Sequence, residues 1–258
     1  MPGVPDRQDG RFTLPQPLAV VGAGRLGTTL AEVLRRAGEP VSGPHGRGYR
    51  GSGDGVVLLC VPDGAIAAAA ALIDPRALVG HCSGASGLDV LGDRDGFSVH
   101  PLMTVTEHGA DLSGVWAAVA GSSAGALRVA TGLAEILGLR PVRLADADRL
   151  AYHAAAAIAS NFLVTLEEAA AELMSTTGLD REVLVPLAAA ALRNWGSVGA
   201  AALTGPVARG DAGTVERHRA VIAARTPELE AMFEAMVAAT ERMAARRRGP
   251  AAGQVPHG

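Results

Sequence analysis

Apolar positions along this chain change their period once. Up to about residue 145 they come in short runs of strand length, separated by turns rich in glycine, proline and serine. The runs at 17–21, 56–61, 78–82, 97–100, 115–120 and 141–144 are predicted strands, with a weaker one at 40–42. The run at 56–61 is apolar throughout, which is the mark of a parallel strand covered on both faces. Helical spacing intervenes at 28–37, from Asp63 to about Ile73, and at 124–137, where Gly138 ends the pattern. Strands that alternate with helices predict an α/β fold with a doubly wound parallel sheet of Rossmann type and right-handed crossovers.

Beyond Asp146 no segment reads as a strand. Residues 148–176 form one long helical pattern that ends at Gly178, and at about 1.5 Å per residue it would reach about 45 Å. Asp180 is placed to cap a second helix running to about Asn194, and 214–224 and 228–246 supply two more. The expected organisation is a flexible N-terminus (1–16), a dinucleotide-binding domain (17–145), an all-α C-terminal domain (146–246) and a disordered tail (247–258).

The sharpest motif is Gly22-Ala23-Gly24-Arg25-Leu26-Gly27, lying between the first strand and the first helix. Glycines at G-x-G-x-x-G spacing in that context permit a tight turn, let the backbone approach a pyrophosphate and bring helix and strand together. The helix then presents its positive N-terminus to the phosphates. No acid ends the second strand, where an adenosine ribose is usually bound. Ser42, His45, Arg47 and Arg50 occupy the region instead, and an arginine there suits a 2′-phosphate, hence NADP(H) over NAD(H). Val61-Pro62-Asp63 ends a central strand, where Asp63 either meets a cofactor ribose or caps the following helix.

Composition narrows the chemistry. The chain has 258 residues and a formal charge of −3, without a basic stripe that would suggest nucleic acid. Arg246-Arg247-Arg248 adjoins a Gly/Pro/Ala tail and reads as a solvated terminus. Lysine is absent, so a mechanism that needs a catalytic lysine is excluded. Cys60 and Cys82 fall in apolar strand segments and read as small buried hydrophobes of a reducing compartment, with neither a disulfide nor a metal site expected. The N-terminus lacks the apolar core of a signal peptide and no apolar stretch is long enough to span a bilayer, so a cytoplasmic protein is expected.

Histidines mark the remaining chemistry. His81-Cys82-Ser83-Gly84 and Val99-His100-Pro101-Leu102 end successive strands, at the edge where ligands of open α/β sheets collect. Ser83 and His100 would then face a nicotinamide, and a histidine that titrates near neutrality suits proton transfer to a carbonyl. On the long helix Tyr152, His153, Ser160 and Asn161 interrupt an apolar field. His153 and Asn161, eight residues apart, are expected on one face two turns from each other. Gly205-Pro206-Val207-Ala208-Arg209-Gly210-Asp211 demands a special path between helices. Arg209 can clamp a carboxylate, and Asp211 reads best as a cap.

Taken together, these motifs over residues 17–245 resemble the Rossmann-like, DUF2520-type family of NADP-linked oxidoreductases. The family is distantly similar to pyrroline-5-carboxylate reductases and ketopantoate reductases. The resemblance implies NADPH-dependent reduction of a small oxo acid, ketopantoate first, with an imino acid or a non-catalytic NADP-binding role as alternatives. It also implies a homodimer formed through the helical domain. His100 or His153 would donate the proton, Asn161 orient the carbonyl, Arg209 hold the carboxylate and Ser83 position the substrate. Ketopantoate reductases place a lysine where His153 stands here, and Ser83 with His100-Pro101 also looks like the serine and histidine of prephenate and arogenate dehydrogenases.

Overall fold

The computed structural model describes residues 12–248 apart from Ser52 and Asp54. The chain forms two compact units, Met1–Ser160 and Asn161–Gly258. The division falls later than the change of pattern at Asp146, because the first turns of the long helix are pinned to the sheet through Arg149, as described below. The expected flexible N-terminus lies outside the described residues over 1–11. Within 12–16 Leu14 is buried, and a Cβ on Gly132 would fall 1.9 Å from the ring of Phe12, so two apolar side chains anchor this stretch. Of the expected disordered tail, 249–258 lie outside the described residues and 247–248 belong to the last helix.

Seven strands make the sheet of the first unit: β1 (Leu18–Val21), β2 (Val41–His45), β3 (Val56–Leu59), β4 (Leu78–His81), β5 (Gly96–Pro101), β6 (Trp116–Gly121) and β7 (Arg140–Arg143). Their order is β2-β1-β3-β4-β5-β6-β7. Strands β1 to β5 pair in parallel, with Val21 opposite both Leu59 and His45. The expected doubly wound parallel sheet is present, with one antiparallel pairing: β6 runs antiparallel to β5, Val99 opposite Val119, while β7 is parallel to β6. No helix lies in the connection 102–115, and without such a crossover the chain returns alongside β5 in the opposite sense. The second strand also runs on to His45, three residues past the expected end at 42.

Both faces of the sheet are covered, which is why its strands read as unbroken apolar runs. Leu18, Val20, Leu58 and Phe97 pack under α1 (Arg25–Arg36) and α3 (Ala124–Ile136). Ala19, Val21, Val57 and Leu59 face α2 (Ile66–Leu72), which follows the 3-10 turn Asp63–Ala65. Gly80 is required by the first packing, since a Cβ there would fall 2.3 Å from the Phe97 ring.

The long helical pattern begins in this unit as α4 (Arg149–Ala157), passes through a π-helical turn (Ile158–Phe162) and continues in the second unit as α5 (Leu163–Ser175). A π turn interrupts the regular helix between His153 and Asn161, which belong to different units. Every further element of the second unit is helical: α6 (Val185–Val198), α7 (Pro206–Arg209), α8 (Ala212–Arg225) and α9 (Glu230–Arg248), with short 3-10 turns between. Asp211 caps α8, accepting from Thr214 N at 3.0 Å. Asp180 precedes a 3-10 turn, Arg181–Val183, without a side-chain cap hydrogen bond, and α6 begins four residues later than the expected helix. Val215, Ile222, Val237 and Ala244 form the interior of this unit. Helix α6 has no buried residue.

Candidate functional site

The glycine turn sits at the end of β1, between neighbours β2 and β3, where the strand order reverses; in open α/β sheets this crevice receives ligands. Each glycine has its own physical reason. Gly22 has φ 115°, and a Cβ on it would fall 2.2 Å from the Cys60 carbonyl oxygen. At Gly27 a Cβ would meet the Gly22 oxygen at 1.9 Å, so helix and turn touch backbone to backbone. Around Gly24 nothing lies within 4 Å of such an atom, which leaves open space beside the first turn of α1. That turn holds no acid, so its N–H groups present an unopposed positive end. The turn therefore fits a pyrophosphate: tight where protein must meet protein, open where a phosphate would lie.

Near it, β2 ends at His45, whose carbonyl oxygen accepts from Gly22 N at 2.8 Å. The His45 ring stacks on Tyr49 with centroids 3.9 Å apart, and its Nε2 lies 3.0 Å from Ser42 Oγ. Arg25, Arg47 and Arg50 are exposed. Leu26, by contrast, packs against the core beneath α1. At the end of β3 Val61 and Pro62 lead into the 3-10 turn, whose N-cap is Pro62. Asp63 makes no side-chain cap hydrogen bond there, so of its two readings the capping one is not realised.

A second group gathers at the ends of β4 and β5. His100 Nδ1 lies 2.9 Å from the Tyr152 hydroxyl, and the His100 and His153 ring centroids are 6.3 Å apart. Gly84 fits against both histidines: a Cβ on it would fall 2.8 Å from His100 Nε2 and 3.0 Å from His153 Cδ2. Burial, with His153 and Arg149 adding to it, pushes the His100 imidazole down to about 4. His100 is neutral at physiological pH, which corrects the expectation of a titration near neutrality.

Arg149 holds this group in place, and the sequence reading missed it. Its side chain is 1% exposed, on the first turn of α4. Nε donates to Asp146 Oδ1 at 2.6 Å, Nη1 to the Ser83 carbonyl at 3.4 Å and Nη2 to Ser98 Oγ. One guanidinium thus fastens α4 to the loop after β4 and to β5, and sets Tyr152 and His153 beside His100. An arginine inside a helical pattern carries no sequence signal of such burial. Buried His81 has a similar supporting part. It accepts from Ser83 N at 3.2 Å and donates through Nε2 to the Gly87 carbonyl at 3.2 Å. Burial and then the Arg149 charge push it down to about 4.

Ser83 itself is buried, and its Oγ accepts from the backbone N–H groups of Ala85 and Ser86. It shapes the loop, a departure from the expected substrate contact that follows from the short polar side chain turning back onto its own backbone. Cys60 and Cys82, in register at the ends of β3 and β4, are free thiols with sulfurs 3.7 Å apart. Their mutual contact, then burial, raises the Cys82 thiol.

Asn161 and Arg209 belong to the second unit. Asn161 lies in the π turn, its carbonyl oxygen accepting from Thr165 Oγ1 at 3.1 Å, and it is exposed. Arg209 ends α7 and is also exposed. The special path around it is real, for Gly205 and Gly210 have φ of 96° and 75°. Among the described residues no cluster of histidine, cysteine and carboxylate side chains could hold a metal, and no helix is long and apolar enough to cross a membrane.

Comparisons with known proteins agree with this architecture. The model of the DUF2520 family, a domain of unknown function, matches residues 115–240. The chain is similar in structure to a Bacteroides fragilis protein provisionally named an NADP oxidoreductase, at 20% identity and a TM-score of 0.77, over 88% of this chain and 98% of that one. It is similar to a Thermotoga maritima protein at 25% identity and a TM-score of 0.72, over 90% and 100% of the two chains. A reductive aminase from Aspergillus terreus, in complex with NADPH4, cyclohexanone and allyl amine, is similar at 17% identity and a TM-score of 0.63, over 92% and 95%. No curated protein matches the chain in sequence.

Proposed function

For a chain that carries the DUF2520 domain over residues 115–240, behind a Rossmann-type sheet, we propose NADPH-dependent reduction of a small oxo acid. The observation that carries this reading is the glycine turn at the β1/β3 switch point combined with the His100–Tyr152–His153 group, within one unit and along the same edge of the sheet. Gly22, Gly24, Arg25, Leu26 and Gly27 would form the pyrophosphate turn. His45 and Arg47 would receive the 2′-phosphate, and Val61-Pro62-Asp63 would border the nicotinamide ribose. When bound, NADPH supplies a hydride to the carbonyl carbon.

The protein must then manage the carbonyl oxygen. Tyr152 donates its hydroxyl hydrogen to His100 Nδ1, which leaves the proton of the neutral imidazole on Nε2. That N–H, on the side of Gly84, is a hydrogen-bond donor to the oxygen as charge develops on it. His153, exposed on α4, carries the proton from solvent to the alkoxide. Asn161, as carbonyl-orienting group, and Arg209, as carboxylate clamp, rest on motif resemblance. Ketopantoate is the first substrate candidate on the same ground.

One observation favours a second reading, reduction of an imine of the pyrroline-5-carboxylate type. An iminium arrives already protonated and requires no acid, which agrees with a His100 kept neutral by burial. The amine and ketone held by the similar reductive aminase point the same way.

A homodimer through the helical unit is part of the proposal. Helix α6 leaves Leu187 and Trp195 67% and 62% exposed, and apolar helices of this kind are stable in water when a second surface covers them.

The test is NADPH oxidation followed at 340 nm with ketopantoate and pyrroline-5-carboxylate in parallel, each with NADPH and NADH. Turnover of ketopantoate supports the first reading and turnover of the imine alone the second. NADPH binding without turnover of either leaves a non-catalytic NADP-binding protein.

A further inference from the structure

The end of the first unit's sheet opposite the glycine turn carries a separate cavity of about 430 Å³. It is assembled where strands begin: Gly55 precedes β3, Leu78 opens β4, Asp95 precedes β5, and Gly125 and Ala126 lie in the first turn of α3. The glycine motif and the His100 group lie at the other ends of these strands, so none of their residues reaches it.

Four charged side chains line the cavity: Arg76, Arg94, Arg128 and Asp95. Two are already engaged. Arg76 donates to Asp74 through Nε at 3.2 Å and Nη2 at 2.8 Å. Asp95 accepts from the hydroxyls of Ser122 and Ser123. Arg94 and Arg128 remain. Arg94 donates through Nη2 to the Ile73 carbonyl at 3.2 Å, at the end of α2. Its Nη1 is buried and has no partner among the described residues. A charged donor shut off from water without an acceptor is costly, and native proteins leave few such groups. Arg128 stands exposed one turn into α3, whose N-terminal end adds positive potential. The remaining wall is apolar, with Phe12, Pro15 and Val129 contributing. The volume is in the range of small-molecule sites, about 300–1,000 Å³.

We propose that this cavity binds a small organic anion. An oxyanion head, phosphate or carboxylate, bridges the Arg94 and Arg128 side chains, and an apolar body lies against Phe12 and Val129. The site is independent of the cofactor turn, and its occupant is a ligand other than the reduced substrate.

Isothermal titration of the full chain with phenyl phosphate, benzoate and inorganic phosphate tests this, in the wild type and in Arg94→Gln, Arg128→Gln and Arg25→Gln. The expected result is that phenyl phosphate or benzoate binds more tightly than inorganic phosphate, and the stronger of the two identifies the head group. Arg94→Gln and Arg128→Gln each weaken that binding by about ten-fold or more, equivalent to about 1.4 kcal/mol. Arg25→Gln, at the glycine turn, leaves it unchanged. Without ligand, Arg128→Gln should melt close to the wild-type temperature, because that side chain is exposed, while its gain in melting temperature with the anion disappears. Absence of binding at millimolar probe overturns the proposal, as does binding weakened by Arg25→Gln and not by Arg94→Gln.

Discussion

The Tyr152 hydroxyl stands 2.9 Å from His100 Nδ1, joining the first turns of α4 to the end of β5. Because Nδ1 is occupied, the other ring nitrogen is the one free to meet a ligand, and burial keeps the ring neutral. In the proposed mechanism His100 touches the substrate and Tyr152 is a positioning residue. Replacing His100 with alanine should lower kcat about a hundred-fold or more, the usual range for a lost oxyanion-stabilising donor, with NADPH affinity nearly unchanged. Tyr152→Phe should cost less in kcat, leave KM almost untouched and shift the acid limb of the pH profile. An NADPH titration monitored by fluorescence, paired with steady-state kinetics, distinguishes these outcomes; loss of cofactor binding in His100→Ala would overturn the assignment.

The glycine turn allows a cleaner separation of stability from binding. A Cβ at Gly24 meets nothing within 4 Å, whereas one at Gly22 meets a carbonyl oxygen at 2.2 Å and would also require φ 115° of an L-residue. Gly24→Ala should therefore melt like the wild type while binding NADPH at least about ten-fold more weakly, about 1.4 kcal/mol. Gly22→Ala should lose stability and binding together. Differential scanning fluorimetry with and without NADPH reads both effects.

Arg47 is exposed beside the His45–Tyr49 stack. If it receives the 2′-phosphate, Arg47→Ala should weaken NADPH and spare NADH, so that the ratio of their kcat/KM values falls by about ten-fold, the worth of one charge-assisted contact. An equal loss for both cofactors would remove Arg47 from that role.

His81 and His100 also predict how stability follows pH. Both are pushed down to about 4 in the folded chain, from the ordinary value of 6.5. Between those values the unfolded chain binds more protons than the folded one, so stability is fully present above about pH 6.5 and declines as pH falls toward 4. For the wholly buried His81 this difference sets an upper limit of about 3 kcal/mol. Urea midpoints measured from pH 4 to 8 should fall on the acid side, and His81→Gln should flatten the slope.

The bare apolar face of α6 makes the oligomer testable by one change. Trp195→Glu places a charge where a partner's apolar surface would lie, and light scattering after size exclusion should report a monomer where the wild type is a dimer. A monomeric wild type would refute the dimer.

Much of this protein is determined by local pattern. Runs such as 56–61 make strands buried on both faces, and Gly22, Gly24 and Gly27 form the turn their spacing predicts, because a backbone conformation or a close approach is a demand made at single positions. The helical second unit follows from the change of period, and the Asp211 cap from its place before α8. Other features depend on contacts between distant residues. The reversal at β6 arises from what residues 102–115 lack, and the π turn at Ile158–Phe162 breaks a period that sequence spacing takes for granted. His100 and His153 stood out as candidates, but their charge state did not, since burial and neighbouring cations act through space. Arg149 was invisible among the many arginines of a chain without lysine. Only the tertiary structure, by closing Ser83, Ser98 and Asp146 around one guanidinium, made it the residue that fixes the site.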